Sequence, residues 1–325
     1  MSGPAVPRRR PGSGGRVSDE HVWYLASRLT ARDRWLLAML AEHQILTTRQ
    51  IALLCFSGDR TARARLALLA ELRAVDRVRP LRGDLATPYH YTLGPAGAQV
   101  LAAQAALPVS EFYRRDRGLS LIYSRLLDHT VGANGLFVAF AHASRPRPAN
   151  DGLVLWWSEK RAVTMWRQWV RPDGFGAWYH QGRRLDFFVE FDTGTEPLTR
   201  VAGKIPGYAK LAVSSGMVSP VLIWLPTPTR EANLRRQLLI TGGVVVITAS
   251  PPPGTAPPEL DNSREAVDLA AARPVWLPLG STTRADLDGL TLRFGRPAGP
   301  PGPSDEDEEQ SAPPPRPPQP RRPRP

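Results

Sequence analysis

The chain is 325 residues long, room for two ordinary domains and a sizeable buried core. Its 42 Lys+Arg against 30 Asp+Glu leave a formal charge of +12, which favours an acidic partner: nucleic acid first, an anionic membrane surface second. One cysteine, Cys55, excludes a disulfide framework and any cysteine-based zinc site and fits a reducing cytoplasm.

Residues 1–17 carry Arg8-Arg9-Arg10 among Pro, Gly and Ser, with no apolar stretch of the kind a secretory signal needs. No apolar run approaches the ~20 residues of a membrane span, so the expected location is cytoplasmic. Only three lysines occur, Lys160, Lys204 and Lys210. The positive charge is therefore nearly all arginine, an excess that a G- and C-rich coding bias also produces.

A first folded block is expected over residues 18–105. Thr30 is a good N-cap, and Trp35, Leu36, Met39 and Leu40 recur on one helical face. A short helix over Thr48–Cys55 follows, with Cys55 a small buried side chain in an apolar run. Ser57-Gly58-Asp59 is a turn, and Arg60–Leu72 a third helix with Ala62, Leu66 and Leu69 facing inward. Two extended segments, Val75–Leu81 and Tyr89–Leu93, flank a turn at Arg82-Gly83-Asp84. Three helices and a hairpin in that order are the pattern of a winged helix-turn-helix. There the third helix presents Arg60, Arg63 and Arg65 to the major groove, and the hairpin sets Arg79 and Arg82 near phosphates. The planar guanidinium suits both targets. The same arginines also suit a solvated face, and similar folds serve as protein-docking modules.

Residues 106–120 read as a connector. A second block, 121–295, follows as helix Leu121–Ser144, strand Leu153–Trp157, and hairpin strands Asp173–Tyr179 and Arg184–Asp192. Then come helix Glu196–Val213, strand Val221–Leu225, helix Arg230–Leu239 and strand Val244–Thr248. This order implies an α/β (α+β) chain whose mixed sheet is covered by helices. Residues 296–325 are mostly proline, with an acidic run Asp305–Glu309 ahead of Arg321-Arg322-Pro323-Arg324. Both ends lack apolar residues to offset their ordering entropy and are expected to be disordered.

Along 184–192, Asp186, Phe188, Glu190 and Asp192 share one face, while Leu185, Phe187, Val189 and Phe191 form an apolar core face. A two-residue loop at Gln181-Gly182 pairs His180 with Arg183. That register sets Asp173 opposite Glu190, Phe175 opposite Phe188, and Trp178 opposite Leu185. Opposed carboxylates, ~5 Å apart at Cβ, repel each other, and a divalent cation or a proton between them removes the repulsion. Hard oxygen ligands suit Mg²⁺ or Mn²⁺, with Asp173, Glu190 and Asp192 as candidate ligands. Lys204 sits at the edge of the stripe Leu198, Val201, Ile205, Tyr208 and Ala212, within reach of the site. There its ammonium stabilises charge on a phosphate or orients a water. The other reading is a surface lysine whose stem covers apolar area. Glu159 reads as a further ligand or a solvated strand end, Glu196 as a favourable charge at a helix start, and His129 as structural. The six histidines include no His-x-His pair, which argues against a relaxase with a histidine-held metal. No Gly-x-x-x-x-Gly-Lys-Ser/Thr run supports ATP-driven unwinding.

Pro172-Asp173 followed by Glu190-x-Asp192, on consecutive strands after a helix and a strand, resembles the PD-(D/E)XK nuclease core. The resemblance implies Mg²⁺ on the Asp and Glu and a lysine two residues after the Glu. Asp192 stands there instead, so the resemblance gives the lysine's part to Lys204. A wider stretch, about Thr30 to Leu290, is similar to the actinobacterial replication-relaxation family. The matching pieces include Leu29-Thr30-Ala31-Arg32-Asp33, Arg60-Thr61-Ala62-Arg63, His129-Thr130-Val131 and Arg171-Pro172-Asp173-Gly174. They continue with the run Glu190 to Glu196, then Lys204, Gly207-Tyr208 and Val275-Trp276-Leu277-Pro278. This likeness implies a DNA-binding protein of plasmid or integrated-element replication and DNA relaxation. Its first reading is a Mg²⁺-dependent endonuclease or nickase. The alternative is a non-catalytic replication initiator or transcriptional regulator with a degenerate nuclease domain. Pro206 is expected to kink the helix over 196–213.

Overall fold

The computed structural model describes residues 17–79, 88–113, 120–121, 124, 126–148, 150–238, 240–252, 269–299 and 312–318. Helix α1 (Asp19–Arg28) starts at the Ser18 cap, and α2 (Ala31–His43) starts at a capping box. In that box Thr30 N–H donates to Asp33 Oδ2 at 2.7 Å, while Thr30 Oγ1 accepts from Asp33 N–H at 3.2 Å. A second box, Thr47 with Gln50, follows β1 (Leu46–Thr47) and opens α3 (Thr48–Cys55), whose bounds are those expected from sequence. Cys55 is buried and burial pushes its thiol up to about 12, in keeping with a core side chain. Helix α4 (Asp59–Glu71) buries Ala62, Leu66 and Leu69, as its periodicity requires. Strands β2 (Val75–Val78) and β3 (His90–Leu93) pair antiparallel, with β1 on the other side of β3. Arg82 lies outside the described residues. Helix α5 (Pro95–Ala105) packs on α1.

Helix α7 (Leu127–Ser144), after the single turn α6 (Val109–Phe112), leads into the second sheet. That sheet joins β4 (Gly152–Ser158), β5 (Gly174–His180), β6 (Arg183–Phe191), β7 (Val221–Trp224), β8 (Val246–Ala249) and β9 (Leu277–Pro278) in that order. The first three strands are antiparallel, β6, β7 and β8 are parallel, and β9 returns antiparallel. A mixed sheet covered by helices is therefore what the chain forms. Helix α8 (Glu159–Trp166) follows β4 directly. The helix expected over 196–213 is two, α9 (Leu198–Ala202) and α10 (Ile205–Ser215). Pro206 accordingly does not kink a helix interior; it occupies the first turn of α10, where a missing N–H costs nothing. Helices α11 (Pro228–Gln237) and α12 (Leu287–Phe294) complete the layers.

One sheet face, with Leu185, Phe187, Val189, Leu222 and Ile247, packs on α7. The opposite face, with Phe175, Phe188, Val221 and Ile223, packs on Val201, Ile205, Tyr208, Leu211 and Leu234 of α9, α10 and α11. The first core does not stop at residue 120. It continues through Phe137 and Phe140 into Leu36, Leu40, Ile51 and Leu54 of the N-terminal helices. Polar contacts fix the same seam. Asn134 Nδ2 donates to the carbonyls of His43 and Ile45 at 3.1 and 2.9 Å, and Gln50 Nε2 to that of Val131 at 2.8 Å. His43 stacks on Trp156 with ring centroids 3.8 Å apart.

Two parts of the stretch expected to be disordered are ordered. Arg296–Pro297 forms β10, antiparallel to the start of β6. Residues 312–318 lie against α2 and the end of α7. Backbone pairing holds 296–297, while the Trp35 and Arg316 side chains hydrogen-bond across 312–318, where Ala312 and Pro315 are buried.

Candidate active site

The β5–β6 hairpin has the register that the two-residue loop dictates. His180 pairs with Arg183, Trp178 with Leu185, Phe175 with Phe188 and Gly174 with Val189. Asp173 follows as the residue before β5, and its N–H donates to Val189 O at 3.0 Å. This places Asp173 beside Glu190 at the open end of the hairpin. Its side chain is 7 % exposed and that of Glu190 4 %.

Four groups surround this pair. His129, in the first turn of α7, donates from Nε2 to Asp173 Oδ1 at 3.0 Å, and Phe191 N–H donates to Asp173 Oδ2 at 2.7 Å. Lys204 Nζ donates to Glu190 Oε2, and Tyr208 OH to Glu190 Oε1. The break between α9 and α10 positions Lys204. Tyr208, four residues on, shares its helical face. Gly207 lets α10 come close, because a Cβ there would lie 2.6 Å from the Trp169 carbonyl oxygen.

The electrostatics divide the two carboxylates. Burial would raise Asp173, but His129, Lys204 and the Phe191 N–H outweigh it and hold the pKa below the ordinary range. Burial and the neighbouring Asp173 push Glu190 well above its ordinary value, against the pull of Lys204 and Tyr208. Burial opposes the charge on Lys204, yet Glu190 and Asp173 hold its pKa up; His129 is raised likewise by Asp173. Glu159 lies near enough that burial and Asp173 raise its carboxyl too. The group thus pairs a stable carboxylate with one that seeks a cation or a proton.

Two sequence-nominated residues are engaged elsewhere. Strand β6 ends at Phe191, so the alternation that put Asp192 on the face of Glu190 no longer applies. Asp192 instead accepts from Arg230 through Nε and Nη2, the latter at 3.1 Å, and from Gly194 N–H at 2.9 Å. Arg65 is held by Asp33, Nε to Oδ1 at 3.0 Å, and by the Arg28 carbonyl. Arg60 and Arg63 are exposed on α4, and Arg79 lies over the Tyr89 ring at 4.6 Å. The sequence reading missed His129 and Tyr208 as members of the site. Their signals were His129 inside a matching motif and the four-residue spacing from Lys204 to Tyr208.

The family described as replication-relaxation matches residues 37–221, more than half of the chain. The chain belongs to the replication-relaxation family. The matched stretch contains α4 and its arginines as well as His129, Asp173, Glu190, Lys204 and Tyr208. In this member of the replication-relaxation family the matched region also spans the seam between the N-terminal helices and the second sheet. Comparison with curated proteins and with solved structures returned no match. Among the described residues, no helix is long and apolar enough to cross a membrane.

Proposed function

We propose that this member of the replication-relaxation family is a DNA-binding endonuclease or nickase. The observation that carries the reading is the convergence of Asp173, Glu190 and Lys204 at one end of the β5–β6 hairpin. The donor set fits Mg²⁺ or Mn²⁺, which bind through one or two carboxylates and complete their shell with water and phosphate oxygens. Each carboxylate oxygen already accepts a protein hydrogen bond, and each keeps a second lone pair. A divalent cation bound there supplies charge neutralisation at the scissile phosphate. The chain's own groups do the rest. His129 and the Phe191 N–H orient Asp173, Tyr208 orients Glu190, and the Lys204 ammonium donates to the phosphate or to the attacking water.

The N-terminal unit is read as a winged helix-turn-helix with α4 in the major groove of double-stranded DNA. Arg60 and Arg63 face the bases, and Arg79 faces phosphates. Replacing Arg60 or Arg63 by alanine should weaken binding in a gel-shift titration by about 1–3 kcal/mol and relax sequence preference, whereas Arg79→Ala should lower the salt slope by about 1. Unchanged affinity and sequence preference in the Arg60 and Arg63 variants would remove α4 from the interface.

A second reading, a non-catalytic initiator or regulator, is favoured by one observation. Among the described residues no three His, Cys, Asp or Glu side chains gather as a metal-binding group, and protein donors already serve both carboxylates. Thermal unfolding separates the two readings, because a cation that binds the native state raises Tm. The nuclease reading expects Mn²⁺ or Mg²⁺ to raise Tm in the parent and not in Asp173→Asn. No rise in either protein favours the second reading.

A further inference from the structure

The C-terminal proline-rich stretch crosses the seam within three residues. The buried Trp35 of α2 donates its indole N–H to Pro314 O at 2.7 Å. The Arg316 guanidinium donates to the carbonyls of Ser144, Pro148 and Asp151 at 2.9, 2.9 and 2.7 Å, and to that of Arg147 at 3.4 Å. These carbonyls lie where α7 ends and the chain turns towards β4, a helix terminus that favours a cation. Ala312 and Pro315 of this segment are themselves buried. A tryptophan N–H on a proline-segment carbonyl, with an arginine anchored beside it, is the chemistry by which aromatic grooves take proline-rich peptides. Proline fixes φ in advance, so little ordering entropy opposes docking.

We propose that this seam is a docking site for a proline-rich segment. Its occupant is residues 312–318 of the same chain, which act as a strap holding the N-terminal unit against the second sheet. Chain connectivity favours the chain's own segment. Ala298 N–H donates to Gly182 O, and Tyr179 OH donates to Ala298 O, so the chain leaves β10 beside Tyr179. Tyr179 pairs with Gly152, the neighbour of the Asp151 that holds Arg316. Residues 300–311 can span up to roughly 40 Å.

The test uses the full chain. Arg316→Ala should lower Tm by about 2–5 °C and speed hydrogen exchange in 31–43 and 136–153. Arg322→Ala, with the same charge change outside the strap, should leave both unchanged. Millimolar free peptide of sequence 312–318 should restore part of the lost Tm to the Arg316→Ala chain. Identical Tm and exchange in the Arg316→Ala and Arg322→Ala chains would overturn the proposal. So would a dimer in the parent that Arg316→Ala dissociates, read by sedimentation, because the occupant would then be a second copy.

Discussion

Two buried side chains at the seam and the site show how pairing decides a residue's role. His43 is 1 % exposed, stacks on Trp156, and has no hydrogen-bond partner at either ring nitrogen. Burial lowers its pKa to about 3, with Glu42 opposing. The unfolded chain therefore binds a proton below about 6.5 that the folded chain refuses, and stability falls as pH drops from there towards 3. The steepest loss for one proton is about 1.4 kcal/mol per pH unit. Glu42, held down to about 2 by Arg161 and Ser158 against burial, acts with the same sign between 4.5 and 2. His129 acts with the opposite sign, since its raised pKa gives stability that is lost as pH rises through it. His43→Phe keeps the stack and removes two unpaired polar atoms. It should add about 1 kcal/mol at pH 7 and flatten the fall between pH 6.5 and 4.5 in urea unfolding; an unchanged profile would assign the dependence to another group. Asp192 is the second case. Arg230→Ala leaves its carboxylate buried without a counter-charge, with the Gly194 N–H still donating to it, at a cost of about 3 kcal/mol. Asp192→Asn should keep the metal-driven rise in Tm, and a lost rise would make Asp192 a ligand.

At the scale of elements, the site depends on two close approaches. Gly207 brings α10 onto the Trp169 carbonyl, and Gly132 brings α7 onto Phe191, whose ring would lie 2.2 Å from an added Cβ. In a helix interior alanine is intrinsically better than glycine by about 1 kcal/mol. Gly207→Ala should nevertheless lower Tm, because overpacking against backbone costs about 1–3 kcal/mol, and it should displace Tyr208 from Glu190. A raised Tm would show that the helix has room. The hairpin register was legible in the sequence because a two-residue loop and period-two alternation fix every partner. So were α2 and α3, through their caps, and α4, through its inward apolar positions. Helices α1, α5, α8 and α12 were not read. Helix α5 is almost uniformly apolar and shows no face to recognise. Helix α8 starts at once from a strand end, at the Ser158 cap. The helix break at Gly203-Lys204 was hidden because the apolar stripe runs straight through it; Pro206 was its trace.

For the whole molecule, the N-terminal helices, α7 and the sheet share one apolar core, which the seam's hydrogen bonds and the C-terminal strap reinforce. The linear order of the chain suggested two domains with a linker between them. Sequence patterns report each element's own face, and neither the stacking of His43 on Trp156 nor the ion pair of Glu42 with Arg161 leaves such a pattern. One consequence is that α4 and the Asp173–Glu190 site are held on a common frame. Under the proposed function, DNA engaged by the first would be presented to the second in a fixed orientation. The most direct measurement is conversion of supercoiled plasmid by the parent, Asp173→Ala and Glu190→Ala chains in Mg²⁺, Mn²⁺ and EDTA. The account predicts open-circle product that requires the metal and is lost in both variants. Intact supercoil in every lane, with the DNA still shifted by the parent on a gel, would contradict it.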